Sequence, residues 1–360
     1  MLTHKVKTGI VFSLVLAFIV LVAIALYADL PRMVTVLAHF RWQYLPLILG
    51  LTLFNYAWRF VKWQYYVRRL EIKIHWFRSL LIFISGLSMA ITPGKVGELL
   101  KSYLLKRSTG APVSRTSPII VAERLTDGVA MIGLAATGLV LYSFGRGLLL
   151  VLLIIVFTSI IVIQNRRLSL ALLDFGERLP LVSRIAHPAR TFYESSYILL
   201  GWRPLLLAIL IGAVSWSGEC LALFFVYVGL GLGFSPDLFI KSMFIMGVSS
   251  VVGTVSGLPG GLGTADGSML GLTRLLVSPS AAVGGAAVLL IRLCTLWFGL
   301  GLGLIALLFY RTTQLVDYSS EQGEGLDMQK LEMKSTSSED ADRPDSQKDP
   351  ASTATGDKVR

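Results

Sequence analysis

The sequence has few of the residues on which most soluble enzymes depend. Charged residues make up 15% of its 360 residues, and it has four histidines and two cysteines. The histidines are scattered, and no Cys/His cluster has the spacing of metal ligands, so we expect no metal site. Cys220 and Cys294 both lie in apolar runs, where a free thiol serves as a small hydrophobic group.

Signatures of common catalytic domains are also missing. The sequence has no glycine-rich nucleotide loop after a strand and no nucleophile elbow of the Gly-x-Ser-x-Gly type. The segments between the apolar runs are too short for a soluble transferase domain. We therefore expect no cofactor and favour a protein that is not an enzyme, although a Glu/Asp pair inside the membrane leaves a membrane enzyme open.

The chain is instead rich in apolar residues. They make up 54% of it, and its mean hydropathy is +0.68, which soluble domains of this length do not reach. Six apolar runs have roughly the 20 residues of helix that a bilayer crossing takes. We predict an all-α polytopic membrane protein whose spans cover residues 9–28, 44–67, 118–144, 148–163, 205–232 and 281–309.

The charges divide the chain into two parts. The whole chain carries +11, and the segment from Asp317 has 11 acidic and 6 basic residues, which leaves +16 on residues 1–316. Residues 317–360 are polar and almost free of aromatic residues, so we predict a disordered cytoplasmic tail. Basic residues in the short loops of the membrane domain, residues 1–316, favour anionic lipid headgroups as partners over nucleic acid.

The distribution of basic residues also predicts the orientation. Loop 68–78 is basic and follows aromatic and basic residues at the end of a span, which places it in the cytoplasm. Both termini are then cytoplasmic, in a bacterial inner membrane. Residues 164–203 are long, polar and basic, and we predict helical structure there at the cytoplasmic membrane surface.

Two apolar segments are interrupted by proline and glycine. The run 80–91 is too short to cross, and Pro93-Gly94 ends it because proline lacks an N–H and glycine tolerates a sharp turn. We expect a new helix from Lys95 that returns to the cytoplasm, giving a re-entrant hairpin. Segment 238–276 is broken in the same way and enters from the opposite face. The break residues are Pro93, Gly94, Gly97, Pro259, Gly260, Gly261 and Gly263.

Charges within apolar spans are the strongest indication of a functional site, because each costs about 2.5–3.5 kcal/mol at the bilayer centre. Glu219 and Arg292 lie deep in the fifth and sixth predicted spans. Either they pair, with each other or with a further charge, and hold helices together, or Arg292 faces a cavity and binds a phosphate. The sequence leaves both interpretations open.

A tight cluster of charges lies near the start of the third predicted span. Glu123 and Asp127 are four residues apart and share a helix face, and Arg124 is spaced to pair with Asp127. The cluster could simply sit in the headgroup layer. Because Lys95 and Glu98 of the first hairpin are expected at similar depth, we favour a joint polar site.

The helices that follow the breaks are candidate anion sites, because unpaired N–H groups and the helix dipole favour negative charge there. Lys95 adjoins the first helix start. At the second, Thr264 is the predicted N-cap and Asp266 lies in the first turn. Asp266 would also satisfy that helix end by itself, and the glycine-rich breaks could equally serve close helix packing.

Three stretches occur in an order that resembles a known family. They are Pro93-Gly94-Lys95-Val96-Gly97-Glu98, Glu123-Arg124-Leu125-Thr126-Asp127 and Pro259-Gly260-Gly261-Leu262-Gly263. Together with the hydropathy of residues 10–310 they resemble the lysylphosphatidylglycerol synthase transmembrane-region, or flippase-domain, family. The resemblance implies re-entrant helices and, from the synthases, translocation of aminoacylated phosphatidylglycerol between leaflets.

Two departures from the family pattern limit what the resemblance implies. The synthases continue into a cytosolic aminoacyl-transfer domain, whereas here a polar tail follows, so synthesis of the aminoacyl lipid is not expected. Relatives commonly carry a glutamate shortly after the Pro-Gly-Gly motif, and the matching acid here is Asp266. Stand-alone relatives resemble accessories of glycan or glycolipid assembly, so a polyprenyl-phosphate or glycolipid substrate competes with a phospholipid.

The sequence therefore predicts a lipid translocator. In this hypothesis cations neutralise a lipid phosphate while carboxylates position those cations or bind protons. The alternatives are a membrane lipid transferase and a scaffold for glycolipid or phospholipid synthesis. The expected partners are a phospholipid or lipid-linked glycan, with a second copy of the chain or a lipid- or glycan-synthesis enzyme as protein partners. The binding or coupling candidates are Lys95, Glu98, Arg124, Asp127, Glu219, Asp266 and Arg292.

Overall fold

Helices make up most of the described part of the chain in a computed structural model. It describes residues 15, 19–20, 22–23, 26–27, 29–92, 97–139, 146–167, 169, 186–310 and 312, and no strand occurs among them. All but Thr312 belong to a unit that spans Met1–Tyr310. The helices are α1 (Leu30–Ala38), α2 (Leu45–Arg69), α3 (Trp76–Leu87), α4 (Leu99–Thr109), α5 (Val113–Thr116), α6 (Pro118–Leu139), α7 (Arg146–Gln164), α8 (Ala186–Leu199), α9 (Trp202–Gly229), α10 (Pro236–Val255), α11 (Thr264–Leu276) and α12 (Ala281–Arg292).

Three helices in the described part of the chain are long and apolar enough to cross a membrane. They are α9, α10 and α12, which continues through a π-helical turn at Leu293–Trp297 to Tyr310. Local sequence explains where two of them begin. Pro236 opens α10 behind Ser235, whose hydroxyl accepts the Leu238 N–H at 3.1 Å, and Ser280 caps α12 in the same way.

Apolar and polar side chains are distributed as in a membrane protein. Large apolar side chains face outward, for example Leu150 and Ile161 of α7, which are 60% and 64% exposed. Many polar and charged side chains are instead buried, including Lys62, Lys101, Glu123 and Asp127. The predicted all-α, multi-pass membrane fold is confirmed.

Helices approach one another closely where small residues face a neighbour. On α9, Gly218 faces α2, and a methyl group there would lie 3.0 Å from the Leu51 carbonyl oxygen. One turn away, the Asn55 amide donates to the Ser215 carbonyl at 3.0 Å and the Ser215 hydroxyl donates to the Asn55 carbonyl at 3.1 Å. On α10, Gly247 meets α6 similarly. This is the small-residue packing of membrane helices.

Several boundaries differ from those that the sequence predicts. In the described residues after the first break, α-helix begins at Leu99. Gly97 and Glu98 before it form a 3-10 turn, where the Thr92 hydroxyl accepts the Gly97 N–H at 2.8 Å; the predicted start at Lys95 lies outside the described residues. Helix α1 was not predicted. The proposed first span is described only at scattered positions, and residues 93–96 and the polar tail lie outside the described residues.

The long polar segment between the fourth and fifth predicted spans is only partly described. Its helix α8 packs against α5 and α6, and its Tyr193, Ser195 and Ser196 are buried. The predicted helical structure is therefore present where the chain is described, and it is docked on the bundle.

Candidate functional site

The second interruption is a broken helix whose two halves are joined by glycines. After α10 the chain makes a 3-10 turn at Pro259–Gly261 and resumes as α11. Gly260, Gly261 and Gly263 all have positive φ, between 59° and 83°, which other residues rarely adopt. The predicted N-cap, Thr264, is wrong: the N-cap of α11 is Gly263, whose N–H donates to the Asp266 carboxylate at 2.9 Å. The Thr264 hydroxyl donates to Ser256 instead.

The two interruptions approach each other inside the protein. A methyl group at Gly260 of the second break would lie 3.7 Å from Cγ2 of Ile91, which precedes the first break. The second half of α12 passes the same region, where a methyl group at Gly303 would lie 2.2 Å from the Ser88 amide nitrogen. The breaks that the sequence places 160 or more residues apart thus share one neighbourhood.

Lys101 of α4 ties the first hairpin to two other helices. Its side chain passes Gly86 of α3, where a methyl group would lie 2.5 Å from the lysine Cγ. Its ammonium pairs with Glu123 of α6, both side chains being 5% exposed. The ammonium also lies 4.8 Å from the ring centre of Trp63 on α2, a cation–π contact that is strongest when desolvated.

Glu98, at the first break, pairs with Arg124 of α6. The guanidinium engages both carboxylate oxygens: Nε donates to Oε2 at 3.0 Å, and Nη2 donates to Oε1. Such two-pronged pairs have fixed geometry and are stronger than single hydrogen bonds. The expected local pair of Arg124 with Asp127 is wrong, because each residue finds a partner on another element.

Asp127 pairs with Lys62 of α2. The two side chains are 5% and 1% exposed, and the lysine ammonium also donates to the Thr126 hydroxyl at 3.4 Å. Gly212 of α9 covers the pair, since a methyl group there would lie 3.3 Å from the ammonium nitrogen. The second carboxylate oxygen of Asp127, Oδ2, is buried and has no hydrogen-bond partner among the described residues.

Arg292 pairs with Asp266 across the second break. Its Nε donates to Asp266, and its Nη1 donates to the Gly260 carbonyl at 3.3 Å, so one side chain holds both ends of the interruption. The π-helical turn begins directly after it, and the Tyr56 hydroxyl of α2 donates to the Thr295 carbonyl in that turn at 2.7 Å. Such turns are frequent at functional sites.

Glu219 and Arg59 differ from these paired residues. Glu219 is 9% exposed, and Arg59 is half-buried on α2. Within the described ranges, neither side chain has a hydrogen bond or a close ion pair. Glu219 nevertheless lies within electrostatic range of Arg59 and of Arg292. Glu219 and Arg292 do not pair with each other. Arg292 pairs with a further charge, Asp266.

Comparison with known proteins supports one family. The model of the lysylphosphatidylglycerol synthase TM region matches residues 10–303. The chain belongs to this family. Among its relatives, a UPF0104 membrane protein of Methanocaldococcus jannaschii is 25% identical over 204 residues, 52% of this chain and 78% of the relative. A UPF0104 membrane protein of Methanothermobacter thermautotrophicus is 24% identical over 282 residues, 69% of this chain and 80% of the relative.

The membership confirms the resemblance that the three motifs indicate. The structure places five of the seven predicted binding or coupling residues in ion pairs and a sixth, Glu219, near one of them. Glu98, Arg124 and Asp127 lie in one neighbourhood, Asp266 and Arg292 form a pair, and Glu219 interacts with Arg292. Lys95, Pro93 and Gly94 lie outside the described residues.

Three cations of this buried network were not proposed as site residues: Arg59, Lys62 and Lys101. Aromatic residues flank the basic residues of α2, a pattern that predicts a membrane interface. The spacing of Tyr56, Arg59, Lys62, Trp63 and Tyr66 at three and four residues was the signal that they share an inward face.

Proposed function

We propose that this protein moves a lipid with an anionic headgroup between the two leaflets of the cell membrane. The substrate class is an anionic or aminoacylated phospholipid or a polyprenyl-phosphate-linked glycolipid. The chain would lie in the inner membrane with both termini in the cytoplasm. Family membership supports a lipid-related role, and the buried charges support a polar headgroup as the group that is handled.

The observation that carries the proposal is the position of two partly buried ion pairs at the two helix breaks. Glu98 lies at the first break and binds Arg124, while Asp266 follows the second break and binds Arg292. Interrupted helices in corresponding halves of a chain are the sequence feature that marks binding sites in transporters. Here the breaks are also neighbours in space, through Gly260 and Ile91.

The energetics favour a role beyond stability. A buried ion pair is often no better for folding than well-packed apolar residues, because removing two charges from water is expensive. The described residues contain four ion pairs that join elements distant in sequence. Lys62–Asp127 and Lys101–Glu123 are fully buried, and in the other two the arginine side chains are 26% and 17% exposed. If the arginine of such a pair exchanges its carboxylate for a lipid phosphate, the pair has a function that explains its presence.

The proposed mechanism follows from this exchange. A phosphate entering at a break competes with Glu98 for Arg124 or with Asp266 for Arg292, since guanidinium binds both anions with two parallel hydrogen bonds. The released carboxylate frees one broken helix to move. Movement of the two broken helices in alternation would open the shared neighbourhood to one leaflet and then to the other.

The proposal is tested by leaflet exchange of labelled lipids in proteoliposomes. The lipids are phosphatidylglycerol, aminoacyl-phosphatidylglycerol and a polyprenyl phosphate, and the proteins are wild type, Arg124→Ala and Glu98→Gln. We expect wild type to exchange at least one of them faster than protein-free liposomes do, and both variants to lose that activity while remaining folded.

Three other outcomes would argue against it. No exchange by folded wild type would contradict a translocator. A chemically altered lipid would indicate the transferase alternative. Equal loss of activity and of folded protein in both variants would mean that the pairs serve only to hold the helices together.

A further inference from the structure

Arg59 is the cation of the buried network whose hydrogen-bond donors are unused. Arg124, Arg292, Lys62 and Lys101 each contact a carboxylate. Arg59 contacts none in the part of the chain that the structure describes, although its charge interacts with Asp127, Glu123 and Glu219 on two other helices. It is also partly exposed. Arg59 is thus a partly exposed arginine that contacts no described carboxylate, so its guanidinium donors are available to a ligand.

On α2, Arg59 lies between residues that contact the regions of the two breaks. Three residues before it, Tyr56 bonds the π-helical turn that follows Arg292, and three residues after it, Lys62 bonds Asp127 of α6. These residues share a helix face with Arg59. Arg59 is therefore placed on α2 between a contact to the turn after Arg292 and the ion pair with Asp127.

Glu219 is the carboxylate that matches this unused cation. Helices α2 and α9 run antiparallel, because Gly229 lies beside Phe40, Gly218 beside Leu51 and Gly212 beside Lys62. Side chains on a helix lean towards its N-terminus. The side chains of Arg59 and Glu219 consequently point towards each other along the two helices, to the depth at which Asn55 and Ser215 are hydrogen-bonded. Glu219 makes no hydrogen bond to a described residue, and its carboxylate oxygens, unlike Asp127 Oδ2, are not fully enclosed, so the carboxylate can take a partner.

Charge balance completes the argument. Asp127 and Glu123 are already neutralised by Lys62 and Lys101, so Arg59 and Glu219 are left as one positive and one negative charge. Arg292 offers a further donor, because its buried Nη2 has no partner within the described residues. A phosphate with one negative charge would neutralise Arg59. The negative charge of Glu219 would then have no counter-charge unless Glu219 takes up a proton.

We propose that Arg59 is the residue that anchors the phosphate of the lipid headgroup, and that Glu219 competes with this phosphate for Arg59 and gives way when protonated. This inference rests on the proposed function and names the anchoring cation of the same site. It makes Arg59 a binding residue and Glu219 a coupling residue. The two residues are therefore expected to respond oppositely when their charges are removed.

The test measures lipid retention by native mass spectrometry, independently of transport. The probes are phosphatidylglycerol, diacylglycerol, which lacks the phosphate, and inorganic phosphate as a competitor. The variants are Arg59→Ala, Arg59→Lys and Glu219→Gln, with Arg32→Ala as the control because Arg32 is an exposed arginine, 80% accessible, on α1. Thermal unfolding of each variant establishes that it is folded.

We expect wild type and the control to retain phosphatidylglycerol over diacylglycerol. Arg59→Ala should lower that preference by about tenfold or more, which corresponds to one charge-assisted contact, and Arg59→Lys should keep part of it. Glu219→Gln should raise retention of phosphatidylglycerol, since it removes the competitor. A folded Arg59→Ala or Arg59→Lys protein that retains the lipid like wild type overturns the inference, as does reduced retention by Glu219→Gln.

The remaining arms separate the possible sources of failure. Binding of inorganic phosphate at Arg59 without retention of phosphatidylglycerol would overturn the assignment to a lipid. Arg59-dependent retention in a protein that exchanges no lipid would support the inference while contradicting the proposed translocation. Lipid exchange that persists unchanged in Arg59→Ala would overturn the inference alone.

Discussion

Arg124 and Glu98 form a two-pronged ion pair between α6 and the first helix break, in a chain where 26 residues separate them. Arg124 is 26% exposed and Glu98 9%, so the pair is partly shielded from water while one side stays accessible. Under the proposed function, this pair is the contact that the incoming lipid phosphate opens.

This pair predicts a charge-swap result. Arg124→Glu places two carboxylates together and should reduce the rate of lipid exchange by about tenfold or more. Removing one partner of a hydrogen-bonded charge pair costs free energy of the corresponding size. Glu98→Arg combined with Arg124→Glu restores opposite charges and should recover part of the activity. Exchange in proteoliposomes measures both. A double variant no better than the single one would contradict a role for the pair itself.

The Lys62–Asp127 pair predicts a stability effect. Lys62→Met leaves a buried carboxylate without its cation and should lower the free energy of unfolding by about 3–5 kcal/mol. Thermal unfolding in detergent measures the loss, and adding Asp127→Leu should recover most of it. Lys241→Met is the control, since its partner Asp237 is 58% exposed and such pairs contribute about 0–1 kcal/mol. A double variant as unstable as Lys62→Met would contradict the prediction.

Two glycines of the last helix predict opposite results. Gly303→Ala would place a methyl group 2.2 Å from the Ser88 nitrogen, so it should destabilise the protein by about 1–3 kcal/mol. Gly301→Ala meets nothing within 4 Å and should be neutral or stabilising by up to about 1 kcal/mol through helix propensity. The thermal unfolding midpoints of the two variants measure this difference. Equal midpoints would refute the close approach of α12 to the first break.

Glu71 predicts a stabilising substitution. It follows α2 with φ of 56°, and the Ile72 N–H bonds the Val67 carbonyl while the Glu71 N–H bonds that of Arg68, a Schellman motif in which glycine is usual. Glu71→Gly should raise the free energy of unfolding by about 0.5–1 kcal/mol. Glu71→Ala keeps the strained angle and should bring no such gain. Similar stability of the two variants would contradict a conformational origin.

The sequence predicts the elements whose signals are local. Apolar runs and breaks at proline or glycine predict α9, α10 and α12 to within a few residues, because the length of a span and the loss of an N–H depend on neighbouring residues alone. Helix α1 was missed because its nine residues are too few to form a span.

The pairing of charges depends on tertiary packing and was predicted only in part. Local spacing favours Arg124 with Asp127, yet Arg124 reaches Glu98 and Asp127 reaches Lys62. A lysine near aromatic residues at the end of a span has the same pattern whether it faces lipid headgroups or the protein interior, so Lys62 was assigned to an interface. Only the packing of α2 on α6 and α9 distinguishes the two.

The most direct test of a lipid translocator is the initial rate of leaflet exchange of phosphatidylglycerol, aminoacyl-phosphatidylglycerol and a polyprenyl phosphate in proteoliposomes. Wild type and Gly301→Ala are compared with Arg124→Glu, the charge-swapped double variant and protein-free liposomes. Our account predicts exchange by wild type and Gly301→Ala, loss in Arg124→Glu and partial recovery in the double variant. Folded wild type that exchanges no lipid faster than protein-free liposomes would contradict it.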